Sequence, residues 1–183
     1  MNSFQGHLLL AAPHQLDPNL VEAVILVVEH ADRGAFGVIV NSPRDRHARI
    51  SRQPSAKQRR PKGPGPCFGG PVTGRLMAVH RDEHFAEIEV LPGVFFAGRE
   101  KNVRALMRSR EQPCKLFRGY VGWGPGQLER EVEYGIWRAI PATAANIFSN
   151  ADNLWERLLR QTFDSLLQVM CNIKHIPSDL SLN

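Results

Sequence analysis

The sequence predicts an α+β fold: a single domain, residues 1–183, with a largely antiparallel or mixed β-sheet core and flanking helices. Short segments rich in β-branched and aromatic residues recur along the chain. Several neighbouring segments are joined by short turns, which favours antiparallel pairing. Amphipathic helical patterns lie between others, and this order favours α+β over a doubly wound parallel sheet. A chain of 183 residues can bury an ample core.

The predicted strands are apolar segments bounded by turn residues. Pro13 ends the first strand, residues 31–34 predict a hairpin turn after the second, and Pro92 with Gly93 predicts the turn of a later hairpin. The predicted strands are residues 7–12, 21–29, 36–40, 76–80, 87–91, 94–97, 115–123 and 137–140.

Residues 119–137 combine a strand, a glycine turn, a helix and a second strand. The glycines around Pro125 predict a sharp turn, and Gly135 predicts a left-handed helix stop. In the helix between them, residues 127–134, Leu128 and Val132 form the apolar face. The charged side chains of this helix are predicted to face solvent: Glu129, Arg130, Glu131 and Glu133.

Two further helices are predicted from apolar residues at helical spacing. The first covers residues 100–110, and the second follows Pro141 and carries apolar residues from Leu154 to Met170. The three tryptophans lie in or beside apolar patterns and are predicted to be largely buried: Trp123, Trp137 and Trp155.

The positive charge of the chain is concentrated in one segment. Residues 44–62 hold eight of the 23 Lys and Arg residues and one of the 18 acids, so the segment carries +7. The remaining 15 basic and 17 acidic residues give −2. Residues 44–66 are also rich in proline and poor in apolar side chains, which predicts a loosely ordered insertion.

Composition also predicts the compartment and argues against several classes of protein. The first residues lack a basic region before their apolar run, so no secretory signal is predicted. No apolar run approaches the ~20 residues of a membrane span. Three widely spaced cysteines fit reduced thiols in the cytoplasm. No Cys-x-x-Cys pair or His/Cys cluster indicates zinc, and no cofactor is predicted.

Asp17, His30 and Asn41 follow or precede predicted strands and could form an acid–base site if the fold brought them together. The structural alternative is that Asp17 caps a turn, Asn41 bonds to the main chain and His30 ends a strand. We favour the structural alternative, because no nucleophile with a paired base is visible in the motifs.

The glycine turn raises a similar choice. Free N–H groups at Gly122 and Gly124, followed by Gln127 at the helix start, could cradle an anion. The spacing fits neither the dinucleotide fingerprint nor the Walker pattern, so a tight connecting turn is favoured. Cys67, beside another glycine turn, could be a redox thiol, although a buried inert cysteine is favoured.

The basic segment is the feature that implies a partner. A flexible cationic arm can neutralise nucleic-acid phosphates without reading sequence, but a solvated insertion without a partner is an equal alternative. No aromatic residues alternate with the charges, so base stacking is not predicted. The candidate contacts are Arg44, Arg46, Arg49, Arg52, Lys57, Arg59, Arg60 and Lys62.

Four stretches together resemble the YqgE/AlgH family of bacterial proteins: residues 6–43, FGGPV at 68–72, GYVGWGPGQLEREVEYGIW at 119–137 and IPSDLSLN at 176–183. The resemblance implies a single α+β domain and no established enzymatic activity. One branch of the family is described as a regulator of alginate production, but no helix-turn-helix is visible in this sequence. The chain departs from the family pattern at Ser42, where Arg is usual, and in the basic segment that follows, which is usually helix-forming.

These observations predict a cytoplasmic, non-enzymatic regulatory or interaction protein, with a protein partner possible. The alternatives are a nucleic-acid-associated accessory factor that uses residues 44–62, and an uncharacterised enzyme or small-ligand binder. A deep polar cleft that joins His30, Asn41 and Asp17 would favour the enzyme or ligand binder. A flat surface there would favour the interaction protein.

Overall fold

The computed structural model describes residues 3–42, 65–109, 112–149 and 152–172, and these form a nine-stranded sheet with helices packed against it. The strands are β1 (His7–Ala11), β2 (Val24–Ala31), β3 (Gly34–Ile39), β4 (Cys67–Phe68), β5 (Val72–His80), β6 (Ile88–Leu91), β7 (Val94–Ala97), β8 (Cys114–Trp123) and β9 (Trp137–Pro141). The helices are α1 (Glu100–Arg108), α2 (Gln127–Glu133), α3 (Ala144–Phe148) and α4 (Leu154–Asn172), with a 3-10 turn at Glu83–Phe85.

The order across the sheet is β6-β7-β5-β8-β3-β2-β1-β9, with β4 paired to β8 outside this path. Every described pairing is antiparallel except that of β4 with β8, which is parallel. The sheet curls, so that the chain before β1 approaches β6: the Gln5 side-chain amide donates to the Glu89 carbonyl at 2.9 Å. The predicted α+β class with a largely antiparallel sheet is confirmed.

The second strand starts later than predicted, at Val24 instead of residue 21. The main-chain N–H groups of Leu20 and Val21 both donate to the Asp17 carbonyl, at 2.8 and 3.0 Å, and hold this stretch in a turn. Glu22 follows with φ of 54°, a left-handed conformation outside the extended range of a regular strand. The prediction relied on the apolar composition of residues 21–29 and therefore missed the turn that begins at Asp17.

A close crossing of two chain segments explains why the FGGPV stretch, residues 68–72, contains two adjacent glycines. β4 pairs with one side of β8 and β5 with the other, so the chain between them must cross β8. A Cβ on Gly70, whose φ is 152°, would lie 2.3 Å from the main-chain carbon of Tyr120. A Cβ on Gly69 would lie 2.1 Å from the Gly119 carbonyl oxygen. Only glycine allows the two backbones to approach this closely.

Apolar side chains fill both faces of the sheet. Alternate residues of β1 belong to different clusters: Leu8 and Leu10 pack with the start of α4, whereas Leu9 and Ala11 pack with α2. A third cluster joins α1 to β5 and β7. Trp123 and Trp137 are buried as predicted, but Trp155 is only half-buried, and its indole N–H donates to the Ala11 carbonyl at 2.9 Å.

The insertion predicted at 44–66 falls almost entirely outside the described residues. Of this segment only Gly65 and Pro66 are described, and they lead into β4. The resemblance at 176–183 also lies outside the described residues.

Candidate functional site

A cleft of about 190 Å³ lies where β2 begins, β3 ends and α4 begins. Its walls come from the turn before β2, the end of β3 with residues 41 and 42 beyond it, and the first turn of α4. The lining residues are Asn19, Val21, Glu22, Ala23, Ile39, Asn41, Ser42, Asn153, Leu154, Trp155 and Glu156.

Asn41 holds one wall of this cleft in place. Its side-chain oxygen accepts the Val24 N–H at 2.8 Å, and its side-chain nitrogen donates to the Glu22 carbonyl at 2.8 Å. The amide therefore bridges the end of β3 to the start of β2 and fixes the left-handed turn at Glu22. Among the described residues, the non-glycine positions with positive φ are Glu22 and Asn153, and both line the cleft. Strained backbone of this kind clusters at functional sites.

Ser42 is the lining residue that the fold leaves unsatisfied. Its side chain is 5% exposed, and its hydroxyl is shielded from solvent with no hydrogen-bond partner among the described residues. A buried hydroxyl without a partner costs about 1–3 kcal/mol. The sequence prediction noted Ser42 only as a departure from the family pattern. The sequence signal for Ser42 was its position between the end of a predicted strand and Pro43.

Charges of both signs lie around the cleft. The N-terminus of α4, a helix of 19 residues, supplies the positive end of a helix dipole through the Leu154–Glu156 turn. The Lys115 ammonium donates to the carbonyls of Val40 at 3.3 Å and Ser149 at 2.9 Å, which adds positive charge near the end of β3. The exposed carboxylates of Glu22 and Glu156 supply negative charge at the lining.

No hydrogen bond in the described structure links Asp17, His30 and Asn41, the predicted acid–base residues, to one another. Asp17 accepts from the main-chain and side-chain N–H groups of Asn19, at 2.8 and 3.1 Å, and so caps a turn beside the cleft. His30 pairs with Ala35 near the start of β3, whereas Asn41 follows the other end of that strand. The polar groups of all three residues hold local structure.

His30 ties the N-terminal segment to α2. Its Nδ1 accepts the Phe4 N–H at 2.9 Å, so Nε2 carries the proton of the neutral ring and donates to Glu129 at 3.1 Å. The His30 side chain is 5% exposed and its ring lies 5.5 Å from that of Phe4. Both ring nitrogens are therefore engaged, and neither is free to accept a substrate proton.

The glycine turn is filled by a side chain of its own helix. Gln127 Oε1 accepts the Gly124 N–H at 3.0 Å, in the place that an anion would need. Gly122 pairs with Phe36 in the sheet. This geometry supports the connecting turn over an anion site.

Glu131 lies at the centre of the same motif. Its carboxylate accepts the indole N–H of Trp123 at 2.8 Å, that of Trp137 at 2.7 Å and the Gln127 side-chain amide at 2.7 Å. The prediction that Glu129 and Glu131 simply face solvent is therefore wrong. Helical spacing identified the apolar face but could not show that the indoles of the two flanking strands converge on one carboxylate.

Cys67 and Cys114 show no redox arrangement. Cys67 is buried within the main apolar cluster. Burial raises the pKa of Cys114 to about 11, which keeps this thiol protonated near neutral pH.

The structure gives one finding on metals and one on membranes, whereas the candidate nucleic-acid contacts lie outside the described residues. In the described part of the chain, no cluster of three or more His, Cys, Asp or Glu is arranged to bind a metal. None of its helices is long and apolar enough to cross a membrane. The eight candidate nucleic-acid contacts between Arg44 and Lys62 lie outside the described residues.

Comparison with known proteins identifies the family. The model of the AlgH-like family, DUF179, matches residues 8–166. A UPF0301 protein of Agrobacterium fabrum is 34% identical over 172 residues, 86% of this chain and 85% of that protein. A UPF0301 protein of Chlorobaculum tepidum is 31% identical over 162 residues, 85% and 84% of the two chains.

Two solved structures share the fold. The AlgH protein from Pseudomonas aeruginosa aligns with a TM-score of 0.67 at 27% identity, over 91% of this chain and 94% of that one. Protein DIP2367 from Corynebacterium diphtheriae aligns with a TM-score of 0.67 at 22% identity, over 88% and 87%. The resemblance to YqgE/AlgH is confirmed: the chain belongs to the AlgH-like, UPF0301 family, for which no specific biochemical function is established.

Proposed function

We propose that this protein is a non-enzymatic cytoplasmic regulatory protein that binds a small polar ligand in the cleft between β2, β3 and α4. The observation that carries the proposal is the cleft itself, which is lined by three asparagines and includes two residues with left-handed backbone, Glu22 and Asn153. Ligand pockets typically combine an apolar lining with a few such polar groups.

The lining residues favour binding over catalysis. They comprise three asparagines, two glutamates, one serine and apolar side chains, without a histidine, cysteine or lysine. A serine nucleophile needs an adjacent base, and the candidate base His30 has both ring nitrogens engaged near the other end of β3. Amides and carboxylates on a rigid turn are suited to hydrogen-bonding a ligand and holding it in one orientation.

Two tryptophan substitutions in the same loop test this function. Val21 lines the cleft and is 46% exposed, so Val21→Trp adds bulk at the rim without entering the core. Leu16 is 91% exposed and lies outside the lining, so Leu16→Trp is the matched control. Thermal unfolding by circular dichroism is measured with L-alanine, propionate, ethylamine, acetamide and glycerol at millimolar concentration.

At least one of these probes should raise the melting temperature of the wild type and of Leu16→Trp, but not that of Val21→Trp. A ligand present at about ten times its Kd stabilises a protein by about 1.4 kcal/mol. If no probe stabilises the wild type, or if Val21→Trp responds as strongly as the control, the cleft is not the binding site.

Nucleic-acid association is a second candidate, favoured by the concentration of +7 in residues 44–62 against −2 elsewhere. Binding by such a segment would tolerate any sequence and depend steeply on salt. Engaging five or six phosphates of duplex DNA gives a log–log salt slope of about −5. Fluorescence anisotropy of a labelled duplex should show this slope for the intact protein and lose binding when residues 44–62 are deleted. Equal binding by both forms would exclude the segment.

A further inference from the structure

We propose that the exposed apolar face of α4 binds the same face of a second copy of this chain, with the two helices antiparallel. Helix α4 begins against the sheet, where Leu154 and Leu158 are buried. From residue 159 onward, none of its described side chains is buried. The last residue of α4 that lines the cleft is Glu156, so this surface is separate from the site of the proposed function.

Two large apolar side chains lie on this exposed part of α4. Phe163 is 48% exposed and Leu167 is 58% exposed. They are four residues apart and therefore lie on one face of the helix. The Arg138 guanidinium of β9 contacts the Phe163 ring from the sheet, with its carbon 5.5 Å from the ring centroid. Single exposed apolar residues are common, but neighbouring ones on one face indicate an interaction surface.

Charged side chains of both signs border this face. Arg160 and Asp164 lie on the same side of the apolar row, because each follows one of its members by one residue. Although they are four residues apart, no ion pair joins them, and neither side chain has a partner among the described residues. The other charged side chains nearby are Glu156, Arg157 and Arg138. A surface of mixed sign complements a second copy of itself better than it complements a uniformly charged partner.

An antiparallel pairing of two α4 helices matches these charges. Arg160 lies two residues before Thr162 and Asp164 two residues after it. With a two-fold axis level with Thr162, Arg160 of each copy is therefore level with Asp164 of the other, and one symmetry operation forms two ion pairs. At a rise of about 1.5 Å per residue, the apolar side chains of the two copies then alternate about every 3 Å along the axis. The side chains that alternate are Leu159, Phe163 and Leu167 of each copy.

Sedimentation velocity of the full chain at increasing micromolar concentration tests this pairing. The wild type should shift from monomer to dimer. Arg160→Asp and Asp164→Arg each place like charges opposite one another in both pairs, so each should weaken dimerisation at least about tenfold. Gln161→Asp changes an exposed position on the other side of α4 and should leave dimerisation unchanged. Dimerisation that is equally strong in both charge reversals would overturn the proposal.

Combining the two charge reversals shows whether the helices meet in this register. The double variant Arg160→Asp with Asp164→Arg restores opposite charges in both pairs and should dimerise again. An equimolar mixture of the two single variants should also dimerise, because the acidic pair of one variant then meets the basic pair of the other. If the double variant and the mixture both stay monomeric, the antiparallel register is wrong.

Substitutions of the apolar residues distinguish a second copy from other occupants of this face. Leu167→Asn should weaken dimerisation, whereas Gln168→Asn, at the next exposed position, should not. A wild type that stays monomeric at high micromolar concentration would overturn the proposal. In that case, a lower melting temperature of Phe163→Ser would show that the same chain covers the face. An unchanged melting temperature would leave the face to a different protein.

Discussion

Replacing Glu131 by alanine should destabilise the fold through two buried indoles. In the native structure the carboxylate accepts the Nε1–H groups of Trp123 and Trp137 at 2.8 and 2.7 Å. The two tryptophans are 6% and 2% exposed, so their N–H groups have little access to water once the carboxylate is removed. Each buried donor left without a partner costs about 1–3 kcal/mol, which gives about 2–6 kcal/mol for the pair.

Urea unfolding followed by far-ultraviolet circular dichroism measures this loss. Glu131→Gln keeps one carbonyl oxygen that can accept a hydrogen bond, so it should lose less stability than Glu131→Ala. Glu133→Ala removes an exposed glutamate from the same helix and should change the free energy of unfolding by less than about 0.5 kcal/mol. If Glu131→Ala is as stable as Glu133→Ala, the indole bonds do not stabilise the fold and the reasoning fails.

Three further predictions follow from named contacts. His80 is fully buried, and burial lowers the pKa of this ring against the opposing pull of Asp82 and Glu87. As pH drops below 6.5, the histidine of the unfolded chain gains its proton before that of the folded chain, so the free energy of unfolding should fall. His80→Leu should remove this pH dependence, which urea unfolding at several pH values measures. Asn41→Ala frees the part-buried Val24 N–H and the Glu22 carbonyl, which is exposed and can bond to water, so calorimetry should show a loss of about 1–3 kcal/mol for the N–H; no loss would contradict the role of the amide bridge. Gly70→Ala should yield little folded protein on expression, whereas Gly65→Ala, with open space around it, should fold normally.

Local signals in the sequence were enough to predict the fold class and most elements. Alternating and continuous apolar segments located eight of the strands, and Gly135 correctly marked the end of α2 with φ of 70°. The short strand β4 was missed, because two residues that pair in parallel with β8 carry no periodic pattern. The crossing at Gly70 also depends on how two distant segments meet, which no local pattern shows.

The candidate site was predicted less well, because its groups come from distant parts of the chain. Asn41 was identified from its turn position, yet its bonds to Val24 and Glu22 depend on the pairing of β2 with β3. Ser42 and the first turn of α4 are more than 100 residues apart in sequence and meet only in the folded chain. No residue pattern indicated that the Ser42 hydroxyl would be buried without a partner.

The most direct test of the binding cleft is a ¹H–¹⁵N correlation spectrum of the uniformly ¹⁵N-labelled protein titrated with L-alanine. We expect saturable shifts of the amide signals of residues 19–23, 41–42 and 153–156, the segments that supply most of the cleft lining. The amide signals of Gly124 and of residues 126–131, where the Gln127 side chain already fills the glycine turn, should stay in place. Shifts confined to residues 124–131, or a spectrum unchanged by L-alanine and by each of the other four probes, would contradict the assignment of the cleft as the functional site.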